Sequence, residues 1–431
     1  MGYIGVFICL GFFFLNRLKD SRIYNPLSIM SLYWSILLLL CSLNLTDSFE
    51  TSDKAYALII LGVIFFAFGY LASNKYIFKL RSKSENYLYS NKFNNNDFNK
   101  SLFFILTVIA LTSSIAVFQS VLVYFQSGYG LYDIRYQFIS EIYGEGYADV
   151  LNVYIVKPVG YIMTVYSVTA IINKQKYAYL QFLIAVLLLT LQIVNTGGRL
   201  VMLFLLVSLL FCVFLFREKL HFSFRERTIF FLLITGVVGS LFYVSIVRES
   251  NLIENLYDYA VSSITFLSIC LKKYDSGKLF AYTYGYFSWY GILNVPVNVM
   301  EFITRLDMST TVNNLIKFLS SPTMVSDHIL YNWFATAFFR FYADLNYWGV
   351  IINSFIWGCI CRYTYRNWIK VQNFRNLFVY VMVTYGIVVS CMTFVFSDVS
   401  MVLSIIYIYI LTNEKLNKNR KTCQLTEERE K

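Results

Sequence analysis

Charge is scarce in this chain. Asp, Glu, Lys and Arg together make up 14% of its 431 residues, against 58% hydrophobic ones. So little charge cannot cover the surface of a water-soluble protein of this size, and it points instead to a polytopic helical membrane protein. Histidine is scarcer still, with only His221 and His328, which argues against a histidine-rich metal or haem site. The eight cysteines are scattered, mostly inside apolar runs, and no pair has zinc-site spacing. Cys359 and Cys361 sit on an apolar run, so buried thiols are expected rather than ligands. No internal repeat is visible, and the one low-complexity patch is the Asn-rich stretch 91 to 99, which reads as a solvated connector. No cofactor and no metal is expected.

What is present in quantity is long apolar sequence. A spanning helix needs about 20 mostly apolar residues, and such runs lie near 2–16 (a short one), 26–45, 55–74, 101–124, 150–173, 178–195, 200–216, 228–247, 343–361, 377–396 and 399–413. The first has no basic residue before it and is followed by Arg17, Lys19 and Arg22, the reverse of a secretory signal peptide. It is expected to be a retained anchor with its N-terminus outside. Alternation then places segments 17–24, 75–100, 174–177, 217–227, 362–376 and the tail from Glu414 inside. Those six hold 25 of the 36 basic residues and only 9 of the 25 acidic ones, as the positive-inside rule requires. The net charge of +11 therefore reads as a topology signal and not as a nucleic-acid partner. The charged tail has the composition of a frayed segment, and its Lys415, Lys418, Arg420 and Lys421 suit anionic lipid headgroups.

The expected fold is all-α, with about eleven spans and one large external loop containing surface helices. The chain divides into an N-terminal bundle (1–247), the loop (248–342), C-terminal spans (343–413) and a cytoplasmic tail (414–431). The loop has an apolar-periodic part near 252–271, an uncharged aromatic part at 279–300 and a Ser-Ser-Pro break at 320–322. If 279–300 alone crossed the bilayer, the basic segment 362–376 would be turned outside. Helices lying at the surface are favoured, and a hairpin of two extra spans that also used 252–271 is the alternative.

The stretch Tyr331 to Val350, YNWFATAFFRFYADLNYWGV, carries the densest polar signal at a membrane edge. Asn332, Thr336, Arg340 and Asp344 are spaced by four, and His328 continues the row upstream. On a helix this is a polar stripe drifting roughly 40° per step. It reads either as a surface helix with an Arg340–Asp344 ion pair, worth only about 0.3–0.5 kcal/mol when exposed, or as a binding groove, which accounts better for five polar residues in register. Four further cations stand out. Arg199 closes the Asn195-Thr-Gly-Gly-Arg199 turn, where it either reaches to water or grips a phosphate in bidentate fashion. Lys157 lies inside a span beside Pro158, whose kink would open space for an anion. Arg135 lies in an otherwise acidic external loop, as half of a loop ion pair or as a ligand contact. Arg248 opens the long loop and reads as an interface anchor or a further contact.

In layout and in these local motifs the chain resembles the Wzy-type O-antigen (oligosaccharide repeat unit) polymerases of bacterial inner membranes. The resemblance covers most of the chain as topology. Locally it rests on TGGR at 196–199, on Arg135 followed eleven positions later by Gly146, and on Asn332 to Gly349, with aromatics and then Asp and Gly at the entrance of a late span. The related O-antigen ligases carry an adjacent His-Asn pair in this loop. Here His328 and Asn332 are four apart, which weakens a ligase reading.

The resemblance implies glycosyl transfer at the periplasmic face, within lipopolysaccharide biosynthesis, by a multi-pass inner-membrane protein whose N-terminus is periplasmic and whose C-terminus is cytoplasmic. A glycan on undecaprenyl pyrophosphate would be the donor and a fresh lipid-linked repeat unit the acceptor. A polysaccharide co-polymerase that regulates chain length is the implied protein partner. Arg199, Arg340, Lys157 and Arg135 would contact pyrophosphate or glycan, Asp344 or His328 would serve as base, and residues 279–300 would stack on sugars. The rival classes are a ligase, a flippase for the lipid-linked unit, which ought to show internal symmetry, and a membrane acyltransferase, which needs a histidine at a span.

Overall fold

The computed structural model describes residues 1–20, 22–45, 49–76, 98–128, 150–196, 200–216, 235, 239, 252–277, 282–304, 309–327, 330–331 and 334–413. They are nearly all helical. In chain order the elements are α1 (Gly2–Lys19), α2 (Pro26–Leu43), α3 (Asp53–Tyr76), α4 (Lys100–Gln126), a π-turn (Asn152–Val156), α5 (Lys157–Ile172), α6 (Ala178–Thr196) and α7 (Leu200–Phe216). They continue with α8 (Leu252–Asp275), α9 (Tyr290–Thr304), α10 (Ser309–Ser320), α11 (Thr336–Lys370), α12 (Phe374–Val388) and α13 (Val399–Leu411). Among the described residues the one sheet is a two-residue antiparallel pair, β1 (Thr323–Met324) with β2 (Leu330–Tyr331).

Among the described residues seven helices are long and apolar enough to cross a membrane: Gly2–Lys19, Pro26–Leu43, Asp53–Ser73, Lys100–Val123, Asn152–Ile172, Ala178–Asn195 and Phe374–Cys391. Val201–Phe216 and Val399–Leu411 are shorter apolar helices. The expected run at 343–361 falls within α11, and the one at 228–247 lies almost wholly outside the described residues. The seven described cysteines are free thiols, six of them buried and Cys359 half-buried.

The chain folds into two compact units, neither contiguous in sequence. One comprises Met1–Leu88, Phe242–Ile369 and Met382–Asp398, and the other Tyr89–Leu241, Lys370–Val381 and Val399–Lys431. These are packing units, and they cut across the topological division at 247, 342 and 413. In the second, α4 to α7 and α13 pack around Tyr166, whose ring stacks on Phe98 at 4.9 Å and meets Phe374 edge-on. Asn99 donates from its backbone to Leu411 O, and Arg375 Nη2 to Thr412 O. Residues that the alternation of spans assigns to one face thus meet.

The first unit is built on α1, α2 and α3. Here α8 lies along the connection between α2 and α3 from end to end. Tyr257 donates to Leu40 O and accepts from Leu45 N, Thr265 bonds Thr51, Ser268 accepts from Ser52 N, and Asp275 pairs with Lys54. These contacts follow α8 from Tyr257 to Asp275. Helix α9 starts against the chain at 396–398, where a Cβ on Gly291 would lie 2.6 Å from Phe396 O, and it leaves Ile292, Val295, Val299, Phe302 and Ile303 exposed. Such an apolar face suits lipid.

Helix α11 is two helices in one. Leu345 (φ −154°, ψ 39°) and Asn346 (φ 53°, ψ −139°) break it after Asp344. In the first piece Phe338 packs against Gly62 of α3 and at 5.1 Å from Trp34 of α2, while Tyr342 reaches Lys54 at the start of α3. The piece therefore climbs toward the α2–α3 connection. After the break the chain turns back, with Gly349 against Phe341 O. The second piece then crosses α3, where a Cβ on Gly69 would lie 2.0 Å from Phe355 O and one on Gly358 2.1 Å from Phe66 O. Two backbones meet with no side chain between them, the small-residue contact that holds helices together where the solvent is as apolar as the side chains.

This corrects the expected stripe. The row from His328 to Asp344 is not one helix face, because Leu330 and Tyr331 pair as a strand with Met324 and Thr323, and the helix begins only at Thr336, whose φ is +69°.

Gly358→Ala and Gly69→Ala should each lower the thermal midpoint of the full-length protein in detergent, since overpacking a close contact costs about 1–3 kcal/mol. Gly11→Ala, where an added Cβ meets nothing within 4 Å, should leave the midpoint unchanged.

Candidate functional site

The first piece of α11 carries Thr336, Arg340 and Asp344, and all three are buried. Asp344 is its last residue before the break and is fully enclosed. A carboxylate without water needs its oxygens satisfied by protein, and here four donors do so. Thr283 Oγ1 (2.5 Å) and Phe287 N–H (3.2 Å) donate to Oδ1, while Ser288 Oγ and Asn353 Nδ2 (3.2 Å) donate to Oδ2. The backbone adds Tyr284 N–H to Asp344 O, and the Tyr274 hydroxyl donates to Ala343 O. Asn353 is steadied in turn by Trp289, whose indole N–H donates to its Oδ1 at 2.9 Å. One side chain thus joins the 283–288 turn to both pieces of α11.

Arg340 is 9% exposed. It donates from Nε to Thr393 Oγ1 (3.1 Å) and from Nη1 to Phe287 O (3.3 Å), and its guanidinium lies over the Phe287 ring at 4.3 Å. Among the described residues it forms no ion pair within 4.0 Å, so the alternative reading of an Arg340–Asp344 ion pair is not met. The coupling runs instead through Phe287, whose N–H serves Asp344 and whose carbonyl and ring serve Arg340. Asp344 and Asp398 favour the guanidinium charge at longer range. Desolvating a cation without an ion pair costs several kcal/mol, and this one is retained on two neutral acceptors and a ring face. Nη2 has no partner among the described residues.

Beside the break lies a second cluster. Lys54 pairs with Asp275 and donates to the Tyr342 hydroxyl (2.7 Å), which donates to Asp275 Oδ1 (2.9 Å). The backbone of Asn346 sits where few residues other than glycine do, a strain of order 1–3 kcal/mol, and its Nδ2 donates to Tyr282 OH. Around it Tyr282, Tyr284, Tyr347 and Trp348 are exposed, Tyr284 and Trp348 by 76% and 69%. Tyr282 and Tyr284 meet edge-on at 6.3 Å, and Tyr347 meets Tyr342 edge-on at 5.5 Å.

The other expected residues are distributed as follows. Lys157 belongs to the second unit, half-buried where the π-turn gives way to α5. The wider π-turn is the local distortion that lets Pro158 follow without its N–H. Arg199, Arg135, Arg248, His328 and Asn332 lie outside the described residues. Among the described residues no three His, Cys, Asp or Glu side chains come together. Sequence reasoning missed Thr283, Phe287, Ser288, Asn353 and Thr393. Four are small neutral residues and one is a phenylalanine, with no periodicity linking them. The one usable signal was Thr283 and Ser288, two hydroxyls in an aromatic stretch otherwise without charge.

Replacing Asp344 by Asn turns one of its two oxygens into an NH2 group, so that either Phe287 N–H (on Oδ1) or the Asn353 amide (on Oδ2) faces a donor, at a cost of about 1–3 kcal/mol for the unmade bonds. Hydrogen exchange should show faster exchange at 283–288 in this variant while α2 and α3 stay protected. Unchanged exchange at 283–288 would mean that Asp344 does not hold the turn.

Compared with known protein families, with curated proteins and with solved structures, the chain matches none.

Proposed function

We propose that this protein is a glycan polymerase acting on lipid-pyrophosphate-linked repeat units at the external face of the inner membrane. The observation that carries the reading is Arg340. It is a buried cation held by neutral partners, on a helical segment that runs toward the α2–α3 connection and ends beside the exposed Tyr282, Tyr284, Tyr347 and Trp348. An arginine placed there only for structure would gain more from a carboxylate partner. One held by a carbonyl, a hydroxyl and a ring keeps its charge for an anion that arrives later.

In the proposed reaction the acceptor sugar's hydroxyl attacks the anomeric carbon of the donor glycan. The new C–O bond forms as the bond to pyrophosphate breaks, and undecaprenyl pyrophosphate leaves with the electron pair. The leaving group is already a stable anion, so what it needs is cations, and Arg340 supplies one. Arg199, Lys157, Arg135 and Arg248 are the further candidates from sequence, with Asn332 and Thr336 as polar contacts. The hydroxyl proton goes to a base. Asp344, with four donors on its two oxygens, is better suited to positioning Phe287 and through it Arg340, which leaves His328 as the candidate base. Tyr282, Tyr284, Tyr347 and Trp348 give sugar rings flat apolar faces with polar edges.

Deleting the gene should leave lipopolysaccharide core capped by a single repeat unit. Loss of a flippase or ligase would leave bare core, and that result would overturn the proposal. Arg340→Ala should give the one-unit pattern with normal protein in the membrane. Arg340→Lys should restore at most about a tenth of the long chains, because an ammonium keeps the charge but loses the planar fork.

A further inference from the structure

At the end of the first unit where α1 stops, a polar cavity of about 380 Å3 opens between Asn16, Lys19, Asp20 and Arg22 on one side and Tyr70 and Arg362 on the other. Three cations from two distant parts of the chain face one carboxylate. That carboxylate is already engaged by neutral donors: the Tyr365 hydroxyl (2.7 Å) and Asn25 Nδ2 (3.0 Å) on Oδ2, and Arg22 N–H (3.1 Å) on Oδ1. Burial disfavours ionised Asp20, but these bonds and the Arg22 charge outweigh it and hold its carboxyl below the usual carboxylate value. Asp20 thus stays charged without neutralising the cavity, and among the described residues neither Lys19 nor Arg22 forms an ion pair.

The walls are fixed. Arg362 donates from Nη1 to Tyr70 OH at 3.0 Å and lies over the Tyr70 ring at 5.0 Å, which orients its planar fork. Asn16 is tied to Ser28 at 2.8 Å. Basic residues in the last turn of α1 complement that helix's C-terminus, but this does not account for Arg362, which arrives on α11. The alternation of spans expected from the sequence puts 17–24 and 362–376 on one face, where lipid headgroups would meet them.

We infer that this cavity is a binding site for a phosphate group, held between the Arg362 guanidinium and the Lys19 and Arg22 side chains. Two sources carry that chemistry to this depth, the headgroup of an anionic phospholipid or a free phosphate. A guanidinium fork with two flanking cations suits phosphate oxygens, and each basic side chain near the headgroups adds to the attraction.

The test uses the full-length protein purified in detergent and stripped of lipid. Its thermal midpoint is followed as phosphatidylglycerol, phosphatidylcholine or inorganic phosphate is added. Three proteins are compared: wild type, Lys19→Gln/Arg22→Gln, and Lys317→Gln as a control for general attraction. Stabilisation by phosphatidylglycerol but not phosphatidylcholine, with apparent affinity about thirtyfold weaker in the double variant and unchanged in the control, establishes a lipid phosphate site. The same pattern with inorganic phosphate establishes the free anion as ligand. No stabilisation by either, or equal weakening in Lys317→Gln, overturns the assignment. Because Lys19 is exposed and Arg22 lies outside every helix, the double variant should fold, and a circular dichroism spectrum matching wild type checks that it has.

Discussion

A carboxylate shut away from water must be fully satisfied, and the centre of this structure follows from that constraint at Asp344. Four donors reach it from two places in the chain: Thr283, Phe287 and Ser288 from one turn, and Asn353 from beyond the break in α11. Each donor by itself contributes modestly, whereas an unmade bond to a buried charge is expensive. The cost of leaving any of them out is what joins the 283–288 turn to the two pieces of α11. The strained backbone at Asn346 persists because of it, since the local conformation alone would not be chosen.

From that junction the position of Arg340 follows. A cation on a spanning helix is disfavoured by about 2.5–3.5 kcal/mol on insertion scales at the centre of the span, and by less toward its edge. The chain limits this by putting Arg340 on a short piece packed inside protein, between Trp34, Gly62 and the Phe394 cluster, instead of on a helix facing lipid. Irregular backbone at that depth is tolerated where protein surrounds it. The result is a charged group with fixed geometry and no counter-ion in contact, which supports a role with an anionic substrate.

Much of the fold was legible in the sequence because long apolar runs leave few alternatives. Nine of the eleven expected runs coincide with apolar helices, and the apolar-periodic part near 252–271 is helical, with Tyr257, Thr265, Ser268 and Asp275 bonded along the α2–α3 connection. The break was not legible. No proline or glycine marks 345–346, and Asn346 in Asp-Leu-Asn-Tyr is a weak signal. The four-residue spacing from His328 to Asp344 suggested one continuous helix. Backbone at Thr336 and strand pairing at Leu330–Tyr331 divide it, and no spacing rule contains that information. Arg340 and Asp344 stood out as charges among aromatics, while their partners did not, because Thr283, Ser288, Asn353 and Thr393 are ordinary residues until folding brings them together. Asp344, read from sequence as a base candidate, supports Arg340 indirectly through Phe287.

The central claim is that a counter-ion-free arginine in this setting serves bond formation at a lipid pyrophosphate. It is tested most directly by reconstituting the full-length protein in vesicles with an undecaprenyl-pyrophosphate-linked repeat unit and following products by mass spectrometry. The account predicts glycans of two or more repeats, with one undecaprenyl pyrophosphate released per bond, and neither product from folded Arg340→Gln protein. Movement of the lipid-linked unit across the vesicle without elongation, or equal elongation by Arg340→Gln, would contradict it.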